Sequence, residues 1–417
     1  MNIIIAIDSF KGSISSIEAG STVKDAILAS YPNDAVRVFP LADGGEGTVD
    51  ALTQGLGGRI MPVTVTGPLG EPAASRYGYL PDSQTAVIEM ADAAGLAMVP
   101  ATKRNPLHTT TYGLGELSIA AMEQGCRHFI IGIGGSATND AGLGMLTALG
   151  YRFYLSDGTP CGICGKDLHG IATIDASHCH PLLKECKFEI ACDVVNPLCG
   201  EQGCSAIYGP QKGATPEIIA TMDEDIAAFA ALAENTLAGK NAALAENIPA
   251  VNNSELPESD IPSNAAELPG AGAAGGLGFA FHTFLHGSLT PGIELVLKAI
   301  GIEQALCTAD VLITGEGRMD GQTAMGKAPV GIAQLAKKCN PKCVTIGLCG
   351  CATHDAESVN EHGIDAYFPI LHAPMSVEEA MASATTRQNL AQTIQQIMNL
   401  IHFDILPTAK ARGILGY

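Results

Sequence analysis

The sequence predicts an α/β protein of two domains, built on a mostly parallel sheet with helices on both faces. Three observations carry this. The chain has 417 residues, more than one hydrophobic core usually serves. Nearly half of them are apolar, with 48 glycines and no tryptophan, which suits a glycine-looped enzyme better than a disordered chain. One local pattern also recurs: a short β-branched run, a glycine-rich or acidic loop, then a helix.

The first such unit has a strand at Ile3 to Ile7 and the loop Asp8-Ser9-Phe10-Lys11-Gly12. Its helix begins near Ser15, where Ser15-x-x-Glu18 forms a capping box. The second runs VRVFPLA, the loop Asp43-Gly44-Gly45-Glu46-Gly47-Thr48, and the helix VDALTQGL. The third has a strand at Phe129 to Ile133, the loop GIGGSATND and a helix toward Leu149. The fourth has a strand at Val311 to Gly315, the loop GEGRMDGQT and a helix that Pro329 opens, since proline is tolerated in a first turn. CVTIGLCG and IDAYFPI supply two further strands. Between these units MPVTVTGPLGEP and TAVIEMA mark the entry to a second domain, in which an Ala-rich helix covers Ile226 to Leu244. Ile248 to Asn264 is polar and proline-punctuated and reads as a surface loop.

A formal charge of −20 excludes nucleic acid and anionic membranes as expected partners, because neither polyanion is drawn to such a surface. A small anion remains compatible, held by a few local cations and helix N-termini. Assembly into a homo-oligomer is compatible as well. Met1-Asn2 carries no basic region and the apolar run that follows stops at Asp8, so no secretory leader is expected. Thirteen cysteines, an odd number, then read as reduced thiols in the cytoplasm.

Several loops invite chemistry. GQTAMGKAP (321–329) imitates a phosphate-gripping P-loop, but Ala328 stands where a magnesium-binding hydroxyl belongs, and the segment starts six residues after its strand ends. Gly132-x-Gly134-x-x-Ala137 fits a dinucleotide fingerprint, with Asp157 about twenty residues on as the ribose acid, and makes an NAD-dependent dehydrogenase of a small hydroxy acid the alternative function. The same loop reads equally as an anion cradle of the N–H groups of Gly134, Gly135 and Ser136 and the hydroxyls of Ser136 and Thr138. GAGAAGGLG (270–278) offers a second surface for close backbone approach to a ligand. Asp8 with Lys11, Asp43 with Glu46, and Glu316 with Arg318 and Asp320 each set carboxylates beside a glycine, most with a cation, at loops that a parallel sheet gathers at one edge. Such acids hold magnesium through oxygen, and such cations neutralise a transferring phosphoryl group. The segment from Cys161 to Cys204 is rich in Cys and His, yet it has one CxxC and no second pair at zinc-ribbon spacing, so buried thiols are expected. His282-x-x-x-His286 lacks the adjacent Glu of a zinc protease and reads as a helix face.

Taken in order, AIDSFKGSIS (6–15), LADGGEGT (41–48), VTGPLGE (65–71), IEMADAAGL (88–96), GIGGSATNDAG (132–142), ACDVVNPL (191–198), GPQKGA (209–214), LPGAGAAGGLG (268–278), PGIELV (291–296) and ITGEGRMDGQT with GKAP (313–329) resemble the type 1 family of bacterial glycerate kinases, the glycerate 2-kinases. The resemblance spans about residues 1 to 380. It implies transfer of the γ-phosphoryl group of ATP, with Mg2+, to D-glycerate, giving 2-phosphoglycerate or 3-phosphoglycerate, in routes of glyoxylate and sugar-acid metabolism. It also implies a discontinuous Rossmann-like parallel-sheet domain (1–66 and 291–380), an inserted α/β domain (67–290) with a cleft between them, and a helical tail (381–417). Ile7 stands where the family usually has proline. Ala141 stands where it usually has glycine, which matters if the loop there needs a positive φ.

For catalysis the implied residues are Lys11 and Arg318, as charges on the phosphoryl group or the carboxylate, and Asp193, with Asp43 as its alternative, as the acceptor of the hydroxyl proton. Glu316 and Asp320 are the expected magnesium ligands. Asp8, Ser9, Gly134, Gly135, Ser136, Thr138, Asn139, Gln211, Lys212, Gly275, Gly276 and Lys327 are the expected substrate and nucleotide contacts.

Overall fold

The strand Asn2–Ile5 is buried at Ile3, Ile4 and Ile5 with no exposed surface, as a central strand of a sheet covered on both faces must be. In the computed structural model, which describes residues 1–244 and 264–403, it lies inside a five-stranded, wholly parallel sheet. The order across that sheet is Ala366–Pro369, Val344–Ala352, Val311–Met319, Asn2–Ile5, Ala35–Val38. The helix Ser16–Ser30 starts at the expected capping box: Ser15 accepts from the Glu18 N–H, and Glu18 accepts from the Ser15 N–H at 3.0 Å. Pro329 lies in the first turn of Ala328–Cys339, where its missing N–H has no helical partner to lose.

A second sheet of six strands runs Ser288–Thr290, Lys187–Ala191, His128–Gly132, Thr85–Glu89, Pro72–Leu80, Arg59–Thr66. Its first four strands pair in parallel, and Pro72–Leu80 pairs antiparallel with both of its neighbours. Its core is aromatic at the centre: Phe129 stacks on Phe188 with ring centroids 4.9 Å apart, and Phe229 stacks on Phe284 at 6.0 Å. Arg152–Leu155 and Ile171–Asp175 form a separate antiparallel pair.

The chain divides into two compact units, Met1–Asp43 with Val296–Tyr417, and Gly44–Leu295. The first crossing thus falls after Asp43 and not after residue 66, because Arg59–Thr66 pairs along its whole length with Pro72–Leu80 of the six-stranded sheet. Nor is the C-terminal segment a separate tail. Leu390, Ile394, Ile397 and Met398 of the helix Ser383–His402 pack with Val23 and Ile27 of the first helix in one apolar cluster. The strand expected to end at Gly315 continues to Met319, and the Ala-rich helix starts earlier than expected, at Pro216. The loop expected at Ile248 to Asn264 lies, apart from Asn264, outside the described residues.

Candidate active site

Parallel strands place their C-terminal ends on one edge, and the expected loops leave from those edges in both units. In the first unit the ladder between Asn2–Ile5 and Val311–Met319 continues past the strand end through Ala6 N–H to Ile313 O and Asp8 N–H to Gly315 O, each at 2.8 Å. This sets Asp8 beside Glu316. Asp8 is 5% exposed and its Oδ1 accepts from the Ser9 N–H at 2.6 Å. Burial pushes its carboxyl up to about 7, and the neighbouring Asp43 and Glu316 carboxylates push in the same direction while Lys11 opposes them. Lys11 is half-exposed, with its Nζ 3.8 Å from Asp43 Oδ2. Ser9 is half-buried.

Glu316 accepts from the Thr323 hydroxyl at 2.6 Å, and burial raises its pKa against the pull of Lys327. Asp320 is the N-cap of the single helical turn Gly321–Ala324, accepting from the Gln322 N–H at 3.0 Å, and its Oδ2 lies 3.5 Å from Arg318 Nε. Arg318 is otherwise exposed. GQTAMGKAP is therefore a capped helical turn followed by a second helix, with Lys327 as that helix's N-cap, and its backbone wraps no phosphate in P-loop fashion.

In the second unit GIGGSATNDAG leaves the strand His128–Gly132. Gly134 and Gly135 are exposed, and Gly135 has a φ of 75°. Ser136 is 7% exposed. The turn leans on the ADAAGL segment through Leu96 N–H to Gly135 O and Ala137 N–H to Ala94 O. Thr138 and Asn139 are both buried: Asn139 Nδ2 donates to Ser205 Oγ at 2.9 Å, and Thr138 Oγ1 has no partner. Lys212 is buried too, donating to Ser136 Oγ at 2.8 Å and to Thr138 O at 2.6 Å, while Gln211 beside it is exposed. Ala141 does adopt a positive φ, 46°, so the departure from glycine is carried as backbone strain.

Gly275 and Gly276 pack inward against the same segment. Both are buried with φ of 72° and 94°, and a Cβ on Gly275 would overlap the Thr138 carbonyl. Their close backbone approach is to Thr138, Asn139 and Ala141 of the GGSATNDA segment. Asp193 lies just beyond the strand Lys187–Ala191, exposed, with Oδ1 accepting from the Gly292 N–H at 2.8 Å, which ties ACDVVNPL to PGIELV.

Sequence reasoning missed two carboxylates that hold these loops. Asp140, wholly buried, accepts from the Thr111 N–H and hydroxyl and from the N–H groups of Gly142 and Gly144. Glu89 accepts from the N–H groups of Gly47 and Val49 behind DGGEGT, and burial pushes its carboxyl up to about 7. Both stand inside quoted motifs. Their roles depend on partners distant in the chain.

The dinucleotide reading finds no support. The helix after the glycines begins only at Leu143, and Asp157 lies in an exposed turn, its Oδ1 accepting from the Thr159 N–H. The cysteines of 161–204 are free thiols, half-buried or buried, and His282 lies in the helix Ala273–Leu285 that His286 caps. Among the described residues no three His, Cys, Asp or Glu side chains come together as a metal cage, and no helix is long and apolar enough to cross a membrane.

These features define a class: an α/β protein with acid, cation and glycine loops at strand C-terminal ends, in which GQTAMGKAP is not a P-loop. Comparison with known proteins makes it particular. The profile of the Glycerate kinase family matches residues 3–402, and the chain belongs to that family. It is 43% identical over 400 residues to a glycerate kinase of Bacillus subtilis (strain 168), covering 95% of this chain and 98% of that one. It is 40% identical over 399 residues to a glycerate 2-kinase of Escherichia coli (strain K12), covering 94% and 98%. A crystal structure described as a glycerate kinase 2 from Salmonella typhimurium LT2 superposes with a TM-score of 0.82 at 39% identity, over 96% of this chain and 98% of that chain.

Proposed function

We propose that the protein is an ATP-dependent glycerate kinase that phosphorylates D-glycerate on its 2-hydroxyl. The observation that supports this most is membership of the glycerate kinase family over nearly the whole chain, with the quoted loops at strand C-terminal ends. Its substrates are small molecules, and neither nucleic acid nor membrane is proposed as a partner. The cytoplasm is the proposed compartment.

Lys11 and Arg318, both at least half-exposed, are the cations assigned to the phosphoryl oxygens or the glycerate carboxylate. Asp193 is assigned the glycerate hydroxyl, whose proton it accepts or fixes by hydrogen bond, with Asp43 as the alternative. The turn Gly134–Ser136 is assigned an anionic group of substrate or nucleotide. Lys327, beside Glu316, is assigned a lesser part in nucleotide binding.

Mg2+ would neutralise charge between the phosphates of ATP when bound. Glu316 and Asp320 supply hard oxygen donors, and Asp43 adds negative charge near Glu316. Magnesium keeps several waters and needs only one or two carboxylates besides phosphate, so it requires no three-residue cage.

The test is phosphorus NMR on protein incubated with ATP, magnesium and D-glycerate. A new phosphomonoester resonance with matching ADP is expected, coupled to the single proton of C2. Coupling to two protons would move the product to the 3-phosphate, and no phosphoester would overturn the kinase.

A further inference from the structure

Lys212 is the one lysine or arginine among the buried side chains of the described residues, 2% exposed. It ends the short turn Pro210–Lys212 and reaches beneath the GGSATND loop. An ammonium has three donors. Two of them go to Ser136 Oγ and Thr138 O, both neutral acceptors. The charged or titratable groups that face it are the Asp140 carboxyl, already accepting from Thr111, Gly142 and Gly144, and the Cys204 thiol, on which Asp223 acts in turn. A buried cation whose hydrogen bonds are to neutral groups is costly and is stabilised by any anion that comes close.

Directly above Ser136 the chain is open. Gly134 and Gly135 are exposed, and a Cβ on Gly134 would meet nothing within 4 Å. The N–H groups of Gly134 and Gly135 donate to no backbone acceptor among the described residues. Thr138 Oγ1, fully buried in the same loop, is also without a partner. Open glycine N–H groups beside Ser136, to which the buried ammonium donates, make this turn polarised for an anion.

We propose that Lys212 is a positioning residue for an anion held at the Gly134–Ser136 turn, ordering the turn through Ser136 and Thr138 from beneath and supplying the charge to which the anion responds. This rests on the reading of that turn as the anion subsite of a glycerate kinase. The anion is either the carboxylate of glycerate or a phosphate of the nucleotide, which share this chemistry.

Burial holds the Lys212 ammonium down at about 8. An anion that prefers the charged form therefore binds with proton uptake above that pH. Its affinity falls by up to about tenfold per pH unit beyond 8, since only the protonated fraction binds it well. Neither glycerate nor ATP changes its own charge in that range.

The experiment is titration calorimetry of the full chain at pH 7 to 9.5, with D-glycerate, ATP and sulfate as separate ligands, on wild type, Lys212→Arg and Lys212→Met. In wild type the occupant of the subsite loses affinity above pH 8 and takes up a proton on binding. The slope is absent in Lys212→Arg, which stays charged, and Lys212→Met binds that ligand weakly at every pH. A slope with D-glycerate assigns the carboxylate, and a slope with ATP assigns a phosphate. Sulfate reports the subsite itself, so it tests Lys212 even if wild type fails to make phosphoglycerate and the kinase reading falls. Flat wild-type profiles for all three ligands would overturn the proposal, as would a slope that survives in Lys212→Arg. The wild-type arm needs no variant to fold.

Discussion

Asp140 offers the sharpest test of how the GGSATND loop is held. Its Oδ2 accepts from the Thr111 N–H and hydroxyl, each at 2.8 Å, and from the Gly144 N–H at 3.2 Å, while Oδ1 accepts from the Gly142 N–H at 3.2 Å. Asp140→Ala removes the acceptor from all four donors in a site without solvent. The Thr111 hydroxyl can rotate, so three backbone N–H groups remain unmade. At about 1–3 kcal/mol for each buried donor left unsatisfied, the cost is at least about 3 kcal/mol, a large share of a typical stability of about 5–15 kcal/mol. Asp140→Asn can keep its carbonyl at the Oδ2 position and lose only the Gly142 bond, an expected cost of about 1–3 kcal/mol. Losing the charge offsets part of that, because burial already raises the Asp140 pKa. Urea unfolding followed by circular dichroism measures both, with the midpoint of Asp140→Ala well below that of Asp140→Asn. The reasoning fails if Asp140→Ala lies within about 0.5 kcal/mol of wild type, inside the range of ordinary surface changes, or if the two variants are equally damaged.

Other outcomes follow from the same geometry. Asp193→Asn should lower kcat by about 10²–10⁴-fold with ATP affinity retained, and near-normal turnover would remove Asp193 from the chemistry. Gly275→Ala should cut soluble yield and thermal stability, since a φ of 72° and the Thr138 carbonyl both oppose a side chain; an unchanged Tm would refute that packing. Asp8 has a folded-state pKa of about 7 against an ordinary 3.8, so the stability tied to its neutral form is lost as pH rises from about 4 through 7. Asp8→Asn should thus raise Tm relative to wild type at pH 8 and much less at pH 5, and an equal difference at both pH values in scanning calorimetry would contradict the burial argument. Lys327→Ala should weaken ATP binding modestly; complete loss would mean that GQTAMGKAP grips phosphate after all.

Much of this was legible in the chain. The Ser15-x-x-Glu18 box, Pro329 and the β-branched runs carry their own local physics, so the helices they mark and the strand starts fell close to where they were expected. The departure at Ala141 pointed to a positive φ that is present. The expected crossing at residue 66 failed because Arg59–Thr66 has a texture that suits either unit, and only its pairing with Pro72–Leu80 settles where it belongs. The C-terminal helix failed for a similar reason: its apolar residues find their partners at Val23 and Ile27, hundreds of positions earlier.

The sequence by itself determined the α/β pattern, the loops that carry acids, cations and glycines, and the family, because ordered motifs are properties of neighbours along the chain. Tertiary structure alone decided which members of a motif meet solvent. Within GGSATND, Gly134 and Gly135 face outward while Thr138 and Asn139 are sealed in, because Lys212, Ser205 and Gly275 pack against the loop's inner side from far along the chain. Spacing fixes how far apart residues are in the chain. What covers each one is fixed by surfaces that come together only on folding.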